Sequence, residues 1–518
     1  MLIYLVSNIM DSFDAIIIGA GVGGLTAAAY LARAGRKVIV LEQDSHIGGT
    51  GYVFRRCGFT FPTGPQSITM PAYIDDSLCE LGVERRLHFI RDRFAVRRGS
   101  LDIMISQPLH IFAEQLLDHF PEEHKGIKIV IKVLEEVMAA LDVLQPYDLI
   151  EEAPGCITDS NACKVLERWG SIPARDIIER HLKDQSLKDL LGSQGTGETI
   201  MSVVLLAQMW RFMSRIGIWY VEGGIEAIPF LLAERLRIFG GVIRLGERVK
   251  HIKVQDNVVT GVELSGGTII KTPLVISNAD YRETIEELLP PDAFPDSERE
   301  IISRMHLTSS AFTVFLGVKR DLVDLSAFRG DHLFVKLKEG EPVPWELNNS
   351  RQEDFLQDEI WLSWWSRHDS TLAPPGCEAL ILKVGSPFEA FAPFSGGGRG
   401  RHNERYYSFK EELADALVAA AANILPGLPG AVIVREVATP LTYKYWGHRS
   451  EGSVAGWSWR SVEQAKPWAR SLAVTKVSGL LVVGLQSFTR LFYGGMGTSM
   501  YSGKYAADIV LKTIKNQY

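Results

Sequence analysis

A short apolar run, a glycine-rich turn and an apolar helix follow one another near the start of the chain. Residues 14–18 form a near-continuous apolar run, as a buried parallel strand requires. Residues 19–24 carry glycines at their first, third and sixth positions, and apolar residues then recur at helical spacing over residues 25–32. A second apolar run, residues 37–41, ends in Glu42. This pattern predicts a βαβ unit.

The glycine-rich turn has the composition of a pyrophosphate-binding loop. Gly19 permits the tight turn, Gly21 lets the backbone approach a pyrophosphate, and Gly24 lets the helix pack closely on the strand. Val22 and Gly23 lie at the predicted helix start, where N–H groups and a partial positive charge favour phosphate. The alternative is a glycine-rich turn that binds nothing.

Two features beyond this turn point to the same kind of ligand. Glu42 is placed to accept hydrogen bonds from a ribose, and its charge would repel the 2′-phosphate of NADP. The doublet Gly48 and Gly49, followed by Thr50, would let a second stretch of backbone lie against a cofactor, and Gly64 follows in a glycine- and proline-containing loop. Without its context, the doublet could equally be a mobile loop.

The rest of the chain alternates between helical and mixed patterns. Residues 68–215 are mostly helical in pattern, and residues 290–470 are mixed α+β. Apolar runs predict strands at residues 240–245, 274–279 and 479–484. Alternation with period two predicts a hairpin formed by residues 249–254 and 258–264. A glycine loop at residues 493–497 and a helix at residues 499–512 complete a final strand–glycine loop–helix unit.

An apolar segment that begins at Ser202 and ends at Val221 resembles an interfacial helix. Gln208, Arg211 and Arg215 would form one narrow polar stripe, and most other positions are apolar or aromatic. We therefore expect a peripheral contact with one membrane leaflet, and the two arginines argue against a true span. The alternative is a core helix that does not touch lipid.

Composition and charge exclude several classes of protein. The 518 residues include 55 Lys+Arg and 62 Asp+Glu, a net charge of −7, so no nucleic-acid partner is expected. No stretch offers about 20 apolar residues free of charge, so no transmembrane span is expected. The five cysteines form no C-x-x-C pair and the histidines are scattered, which predicts buried free thiols and no metal site. Residues 1–10 lack a signal-peptide pattern, and we expect a disordered leader and a cytoplasmic location.

Taken together, these motifs resemble the phytoene desaturases, carotenoid isomerases and retinol saturases. The opening glycine loop, the Gly48-Gly49 doublet, residues 58–65, residues 219–224 and the glycine-rich C-terminal unit occur there in the same order. The resemblance implies an α/β fold in which a Rossmann-type FAD-binding domain is assembled from discontinuous segments. It also implies a mixed α+β substrate domain with a helical insertion and a long apolar tunnel. The predicted boundaries are residues 12–80, 217–290 and 470–518 for the FAD domain, 81–216 for the helical insertion, and 291–469 for the substrate domain.

The resemblance also assigns further residues to FAD binding. Gly48, Gly49 and Gly64 resemble the backbone clamp beside the flavin, and Val249 occupies the place of a strand residue that pairs with adenine. Gly484 and the pair Gly495 and Met496 resemble the C-terminal flavin segment of that family. The family usually has Gly-Asp where this chain has Gly484 and Leu485, so a ribityl hydrogen bond is missing or is supplied by Gln486.

The implied function is an FAD-dependent oxidoreductase that adds or removes hydrogen across carbon–carbon bonds of a long lipophilic isoprenoid. The redox partner could be oxygen, a quinone or NAD(P)H. One alternative is a flavin-dependent cis–trans polyene isomerase without net redox change, and another is a non-enzymatic prenyl-lipid escort on the same fold. An amine oxidase with an aromatic cage also stays open. No catalytic acid or base is assigned, although Arg490 and Tyr493 lie beside the C-terminal glycine loop.

Overall fold

The computed structural model describes residues 12–144, 150–151, 160–193, 201–336, 359–458, 469–489 and 494–515. The strands in chain order are β1 (Ala15–Ile18), β2 (Val38–Glu42), β3 (Val53–Arg56), β4 (Phe59–Pro62), β5 (Phe89–Arg91), β6 (Phe94–Arg98), β7 (Leu101–Met104), β8 (Ile150–Glu151), β9 (Trp219–Val221), β10 (Val242–Leu245), β11 (Val249–Gln255), β12 (Val258–Leu264), β13 (Ile269–Lys271), β14 (Val275–Ser277), β15 (Ser310–Lys319), β16 (His332–Lys336), β17 (Ile360–Trp364), β18 (Cys377–Ser386), β19 (Val432–Ala438), β20 (Ala469–Arg470) and β21 (Leu480–Val482).

The helices are short to medium in length. In chain order they are α1 (Val22–Arg33), α2 (Pro71–Glu80), α3 (Leu109–His119), α4 (His124–Asp142), α5 (Asn161–Gly170), α6 (Ala174–His181), α7 (Gln185–Ser193), α8 (Val203–Arg211), α9 (Ala227–Ile238), α10 (Tyr281–Glu283), α11 (Asp296–Arg304), α12 (Glu404–Ala422), α13 (Leu428–Ala431), α14 (Pro440–Trp446) and α15 (Gly495–Lys515). Among the described residues, none of these helices combines the length and the apolarity that crossing a membrane would need.

The first sheet is parallel and is assembled from segments far apart in the sequence. Its five strands lie in the order β10-β2-β1-β14-β21, and every neighbouring pair is parallel. The predicted βαβ unit corresponds to β1, α1 and β2, and β10, β14 and β21 complete the same sheet. Helices α1 and α15 pack on each other against this sheet, and α15 begins at Gly495, earlier than the sequence predicted.

Next to this sheet lies the predicted hairpin. Strands β11 and β12 are antiparallel, and β13 adds a third strand. Buried Ile252, Val259 and Val262 pack with Ile16 and Ile39 of the parallel sheet in one apolar cluster. The alternation with period two predicted the hairpin because one face of these strands is buried and the other is solvated.

The second sheet has a helix packed on one face and a hairpin packed on the other. Its seven strands lie in the order β19-β15-β18-β17-β16-β6-β7, antiparallel throughout except for the pair β6 and β16. On one face, Phe312, Val314 and Leu316 pack on α12. On the other face, Phe315 and Ile381 pack against Phe59 and Phe61 of the hairpin formed by β3 and β4.

The helical pattern predicted for residues 68–215 is wrong for part of that range. Residues 89–104 form β5, β6 and β7, and β6 and β7 belong to the second sheet. Runs of three to five residues are too short for the difference between period two and period 3.6 to be decisive. The rest of the range contains helices α3 to α8, as the helical pattern predicted, and these helices share one apolar core.

The predicted membrane contact of the segment from Ser202 to Val221 is wrong, and the core-helix alternative is confirmed. Trp210 has no exposed surface, Met213 is 5% exposed and even Gln208 is 1% exposed. Arg211 and Arg215 do not point to a headgroup layer, because both form ion pairs with Asp142 of α4. The apolar face of α8 is therefore covered by protein.

Three further predictions concern the cysteines, the leader and two residues near the C-terminal glycine loop. Cys57, Cys79, Cys163 and Cys377 are free thiols, but Cys57 is exposed, so the predicted burial is wrong for it. Cys156 and the predicted leader lie outside the described residues, as do Arg490 and Tyr493.

Candidate functional site

The glycine-rich turn joins β1 to α1 at the carboxyl edge of the parallel sheet. Gly19 adopts a positive φ of 90°, and a side chain at Gly24 would collide with the backbone oxygen of Gly19. Helix α1 therefore packs as closely on the turn as the sequence predicted. Gly21 precedes α1 with extended backbone, and no side chain caps this helix. Such an uncapped helix start can bind an anion through its N–H groups.

Glu42 lies at the neighbouring strand end and is buried. Its two carboxylate oxygens accept hydrogen bonds from the backbone nitrogens of Ala20, at 2.7 Å, and Asp44, at 2.8 Å. Together with Gly19 and Val249, Glu42 lines a small cavity of about 100 Å³. The two residues predicted to hold an adenosine therefore lie together at one end of the site.

A larger groove of about 370 Å³ continues from this cavity. Most of the remaining predicted cofactor residues line it, namely Gly21, Val22, Gly23, Gly48, Gly49, Thr50, Gly64, Gly484, Gly495 and Met496. A side chain at Gly23 would come within 2.7 Å of Asn278 and 3.1 Å of the Gly484 nitrogen. The structure thus brings four distant segments around one groove, and their contact with a cofactor stays a prediction.

Gln486 is the residue that could supply the ribityl hydrogen bond otherwise missing from the C-terminal segment. It lines the groove two residues after Gly484, and its side-chain oxygen accepts a hydrogen bond from the Tyr281 nitrogen at 2.8 Å. Its side-chain nitrogen is buried and has no hydrogen-bond partner among the described residues. A buried donor without a partner is costly, so a hydroxyl-bearing ligand in the groove would satisfy it.

Three groove residues were not assigned from the sequence. Asn278 follows β14 and lies between the first glycine loop and Gly484. A polar residue at the carboxyl end of a buried parallel strand is a signal that could have identified it. Lys383 and Arg449 also line the groove, but they come from the second sheet and from a loop, and no local motif marks them.

Lys383 projects from β18 between Thr313 and Trp361 of the neighbouring strands. Its Nζ lies 4.9 Å from the centre of the Trp361 ring, and burial lowers the pKa of Lys383 to about 8. Close by, the Tyr443 hydroxyl and Thr313 Oγ1 are 2.8 Å apart, and burial raises the pKa of Tyr443 to about 12. The sheet therefore presents an amine that can exchange a proton near neutral pH.

A second cavity, of about 450 Å³, adjoins the groove. It shares Gly49, Thr50, Tyr443 and Gly447 with the groove. Aromatic rings form much of its wall, from Tyr52, Phe54, Phe315, Tyr406, Tyr407, Tyr445 and Trp446, and His46 and His402 add imidazoles. We call it the aromatic cavity.

One acidic cluster bears on the expectation of no metal site. Asp92, Asp331 and His368 place ligand atoms within 4.8 Å of one another. However, Asp331 is already approached by Arg93 at 3.5 Å, Arg367 at 3.4 Å and His368 at 2.9 Å. These groups hold the pKa of Asp331 at about 2 despite its burial, which alone would raise it. The cluster thus carries its own positive charges, and we assign no metal to it.

Comparison with known proteins finds similarity along almost the whole chain. Residues 22–511 match the model of the family described as flavin containing amine oxidoreductase. The chain is 28% identical over 460 residues to the prolycopene isomerase of Daucus carota, covering 85% of this chain and 71% of that protein. It is 25% identical over 456 residues to a lycopene-forming phytoene desaturase of Pseudescherichia vulneris, covering 83% of this chain and 85% of the relative. An oxidoreductase structure from Methanosarcina mazei shares the fold with a TM-score of 0.63 at 17% identity, over 95% of this chain and 99% of that one.

Proposed function

Because the chain belongs to the flavin-containing amine oxidoreductase family, we propose that it uses FAD to transfer hydrogen at carbon–carbon bonds of a long lipophilic isoprenoid such as a carotenoid or a retinoid. The chain is an FAD-dependent oxidoreductase, so the alternative of a non-enzymatic lipid escort is not retained. The uncapped start of α1, the glycine-lined groove and the unpartnered amide of Gln486 fit FAD.

The observation that carries the proposal is the aromatic cavity beside the groove. Its rings offer an apolar wall to a conjugated chain, and the residues it shares with the cofactor groove, among them Tyr443 and Thr50, place the two side by side. A pocket with mostly apolar and aromatic walls and a few polar groups is the usual form of a small-molecule site. A substrate with a long apolar body and few polar atoms fits this lining.

The protein and the cofactor divide the chemistry. When bound, FAD supplies the hydride acceptor or donor. The chain holds the substrate against the groove and excludes water from it, with half-buried Tyr443 on the shared wall and buried Phe315 on the wall of the aromatic cavity. Lys383 Nζ can hold or release a proton beside the groove, since its pKa is about 8.

A cis–trans isomerase is the second candidate. It is favoured by the similarity to the prolycopene isomerase of Daucus carota over 85% of the chain. An isomerase would use the same groove and aromatic cavity, and its product would have the same mass as the substrate. Only the product distinguishes the two activities.

Product analysis with purified protein tests both candidates. The flavin-containing protein is incubated with phytoene, prolycopene or all-trans-retinol in detergent, with oxygen, a quinone or NAD(P)H in separate reactions. A product that differs by the mass of two hydrogens establishes hydrogen transfer, and a geometric isomer of unchanged mass establishes isomerisation. Turnover of putrescine with none of the polyenes would overturn the proposal in favour of an amine substrate.

Two variants on one strand test the position of the substrate. Ala438 of β19 lines the aromatic cavity, whereas Ile433 of the same strand is 47% exposed. We expect Ala438→Phe to fill the cavity and lose most turnover while keeping its flavin, and Ile433→Phe to behave as wild type. Full turnover by Ala438→Phe would show that the substrate binds elsewhere.

A further inference from the structure

A loop from the substrate side of the molecule crosses the cofactor groove. This loop, residues 447–456, follows α14, and we call it the strap. It is tied to the parallel-sheet part of the molecule at separate points. His448 Nε2 lies 3.0 Å from Asp44, and the Ser450 nitrogen and hydroxyl donate to Asp280 at 3.0 and 2.7 Å. The strap is therefore held in one position over the groove.

The strap forms the wall opposite the glycine loops. Residues 447–449 and 453–456 line the same groove as residues 21–23 and 48–51. At its far end, Trp457 donates a hydrogen bond to the backbone oxygen of Gln486 at 2.8 Å. A ligand in the groove therefore lies between the glycine loops and the strap.

Arg449 is the strap residue whose charge faces this space. Its Nη2 donates a hydrogen bond to Thr50 Oγ1 at 2.8 Å, and its Nη1 donates to the backbone oxygen of Val454 at 3.1 Å. Thr50 directly follows the Gly48-Gly49 doublet. The guanidinium is thus fixed beside the backbone segment that the sequence assigns to the cofactor.

Arg449 lacks an ion-pair partner in the part of the chain that the structure describes. No carboxylate there lies within 4.0 Å of its guanidinium, whereas Arg248, Arg282 and Arg399 each form an ion pair. Asp280 attracts it only from a distance, and burial lowers the pKa of Arg449. Arg449 is half-buried, and taking a guanidinium partly out of water without a counter-ion costs free energy, so a bound anion would stabilise this position.

We infer that Arg449 is the counter-ion of the FAD pyrophosphate. The pyrophosphate carries a double negative charge, and the α1 N-terminus supplies only about half an elementary charge. The other basic side chains of the groove are engaged elsewhere, His448 with Asp44 and Lys383 over the Trp361 ring. Arg449, oriented by Thr50, provides the missing positive charge in a form that can make paired hydrogen bonds to phosphate oxygens.

This assignment makes the strap part of the cofactor site. Because residues 447–456 follow the helix that packs on the second sheet, FAD binding would join the two sheets through one charge contact. Retention of FAD would then depend on a residue more than 400 positions from the opening glycine loop.

FAD release from the full-length flavin-containing protein tests the inference. Dissociation constants are measured by flavin fluorescence on dilution for wild type, Arg449→Ala, Arg449→Gln and Arg449→Lys. Loss of a hydrogen bond to a charged group predicts about 10- to 150-fold weaker FAD binding for the alanine and glutamine variants. Lysine keeps the charge and should lose less. Arg401→Ala, which removes an exposed arginine of a nearby loop, should bind FAD as wild type does.

Competition by ADP and by riboflavin separates a phosphate contact from general damage. ADP should lose affinity for Arg449→Gln by about the same factor as FAD, and riboflavin, which has no phosphate, should lose none. Wild-type FAD affinity should also fall more steeply with salt than that of Arg449→Gln. Equal FAD affinity of wild type and Arg449→Gln, or an equal loss for riboflavin, would overturn the inference. If the Arg449 variants do not fold, Thr50→Val decides, because it releases the guanidinium and unchanged FAD binding would contradict the assignment.

Discussion

At the scale of single residues, Glu42 shows how a site can be ordered before its ligand arrives. Each carboxylate oxygen already accepts one backbone hydrogen bond, from Ala20 and from Asp44. The side chain therefore fixes the glycine loop and still offers further lone pairs to a ribose. Because Glu42 both fixes the glycine loop and can bind the ribose, we expect its removal to weaken FAD binding even though it takes no part in the flavin chemistry.

We expect Glu42→Ala to weaken FAD binding by about 10- to 150-fold, since a hydrogen bond to a charged group is lost. Titration of the flavin-free protein with FAD measures the effect. Glu263→Ala is the matched control, because Glu263 pairs with Lys253 on the hairpin at 2.6 Å and does not line the groove. An unchanged dissociation constant for Glu42→Ala would remove Glu42 from the site.

Lys383 gives a prediction on pH. Burial lowers the pKa of Lys383 to about 8, against an ordinary value of about 10.4. Between these values the unfolded chain binds more protons than the folded chain, so this residue makes the free energy of unfolding rise with pH. Lys383→Met should remove that rise and stabilise the protein at pH 7. Urea unfolding of both proteins between pH 7 and pH 10 measures the free energy of unfolding at each pH. The same pH dependence for wild type and Lys383→Met would contradict a lowered pKa of Lys383.

At the scale of elements, α8 shows why an apolar helical pattern is ambiguous. The pattern reports that one face avoids water, and it does not distinguish lipid from protein as the covering material. Here the cover is protein. The Trp210 ring lies 4.9 Å from that of Phe112, and its Nε1 donates to the backbone oxygen of Leu191 at 3.0 Å.

Trp210→Ala should therefore destabilise the protein by about 3–5 kcal/mol, the usual cost of truncating a buried tryptophan. Urea unfolding with far-ultraviolet circular dichroism measures it. Val143 is 69% exposed just after α4, and Val143→Ala should change the free energy of unfolding by less than about 0.5 kcal/mol. A Trp210 variant as stable as wild type would mean that α8 is not part of the core.

At the scale of the whole molecule, Asp44 connects the parallel sheet to the strap and to the loop that carries Arg399. Its carboxylate accepts a hydrogen bond from Arg399 at 2.8 Å and lies 3.0 Å from His448 Nε2. Burial alone would raise the pKa of Asp44, but these two partners outweigh burial and hold it at about 2. The interaction joins segments from three distant parts of the chain.

Asp44→Asn should consequently lower stability and speed FAD release at neutral pH. A carboxylate with a lowered pKa contributes stability above its ordinary value, about 3.9, and loses it as the pH falls towards 2. The difference between wild type and Asp44→Asn should be fully developed at about pH 5 and shrink below pH 4. Asp415→Asn, in an exposed pair with Arg435, should show little effect at any pH. A pH-independent difference for Asp44 would exclude a titrating contact.

The sequence by itself determined the features that depend on neighbouring residues. The βαβ unit, the glycine loop with Glu42 and the hairpin of β11 and β12 follow from local spacing, because strand burial, tight turns and helix starts are set within a few residues. These elements lie where the sequence predicted them. The strands of residues 89–104 were missed because they are short, and short strands are defined by pairing more than by composition. Strands β6 and β7 pair with each other, and β5 and β6 also pair with the remote strands β9 and β16.

Only the tertiary structure decided which remote side chains meet at the groove. Lys383 lies there because the register of β18 with β15 and β17 turns it to that face, and a shift of one residue would turn it away. Arg449 lies there because the strap is tied to Asp44 and Asp280. The physical reason is common to both: the position of a charged side chain is set by contacts between segments that are tens to hundreds of residues apart, which local spacing does not encode.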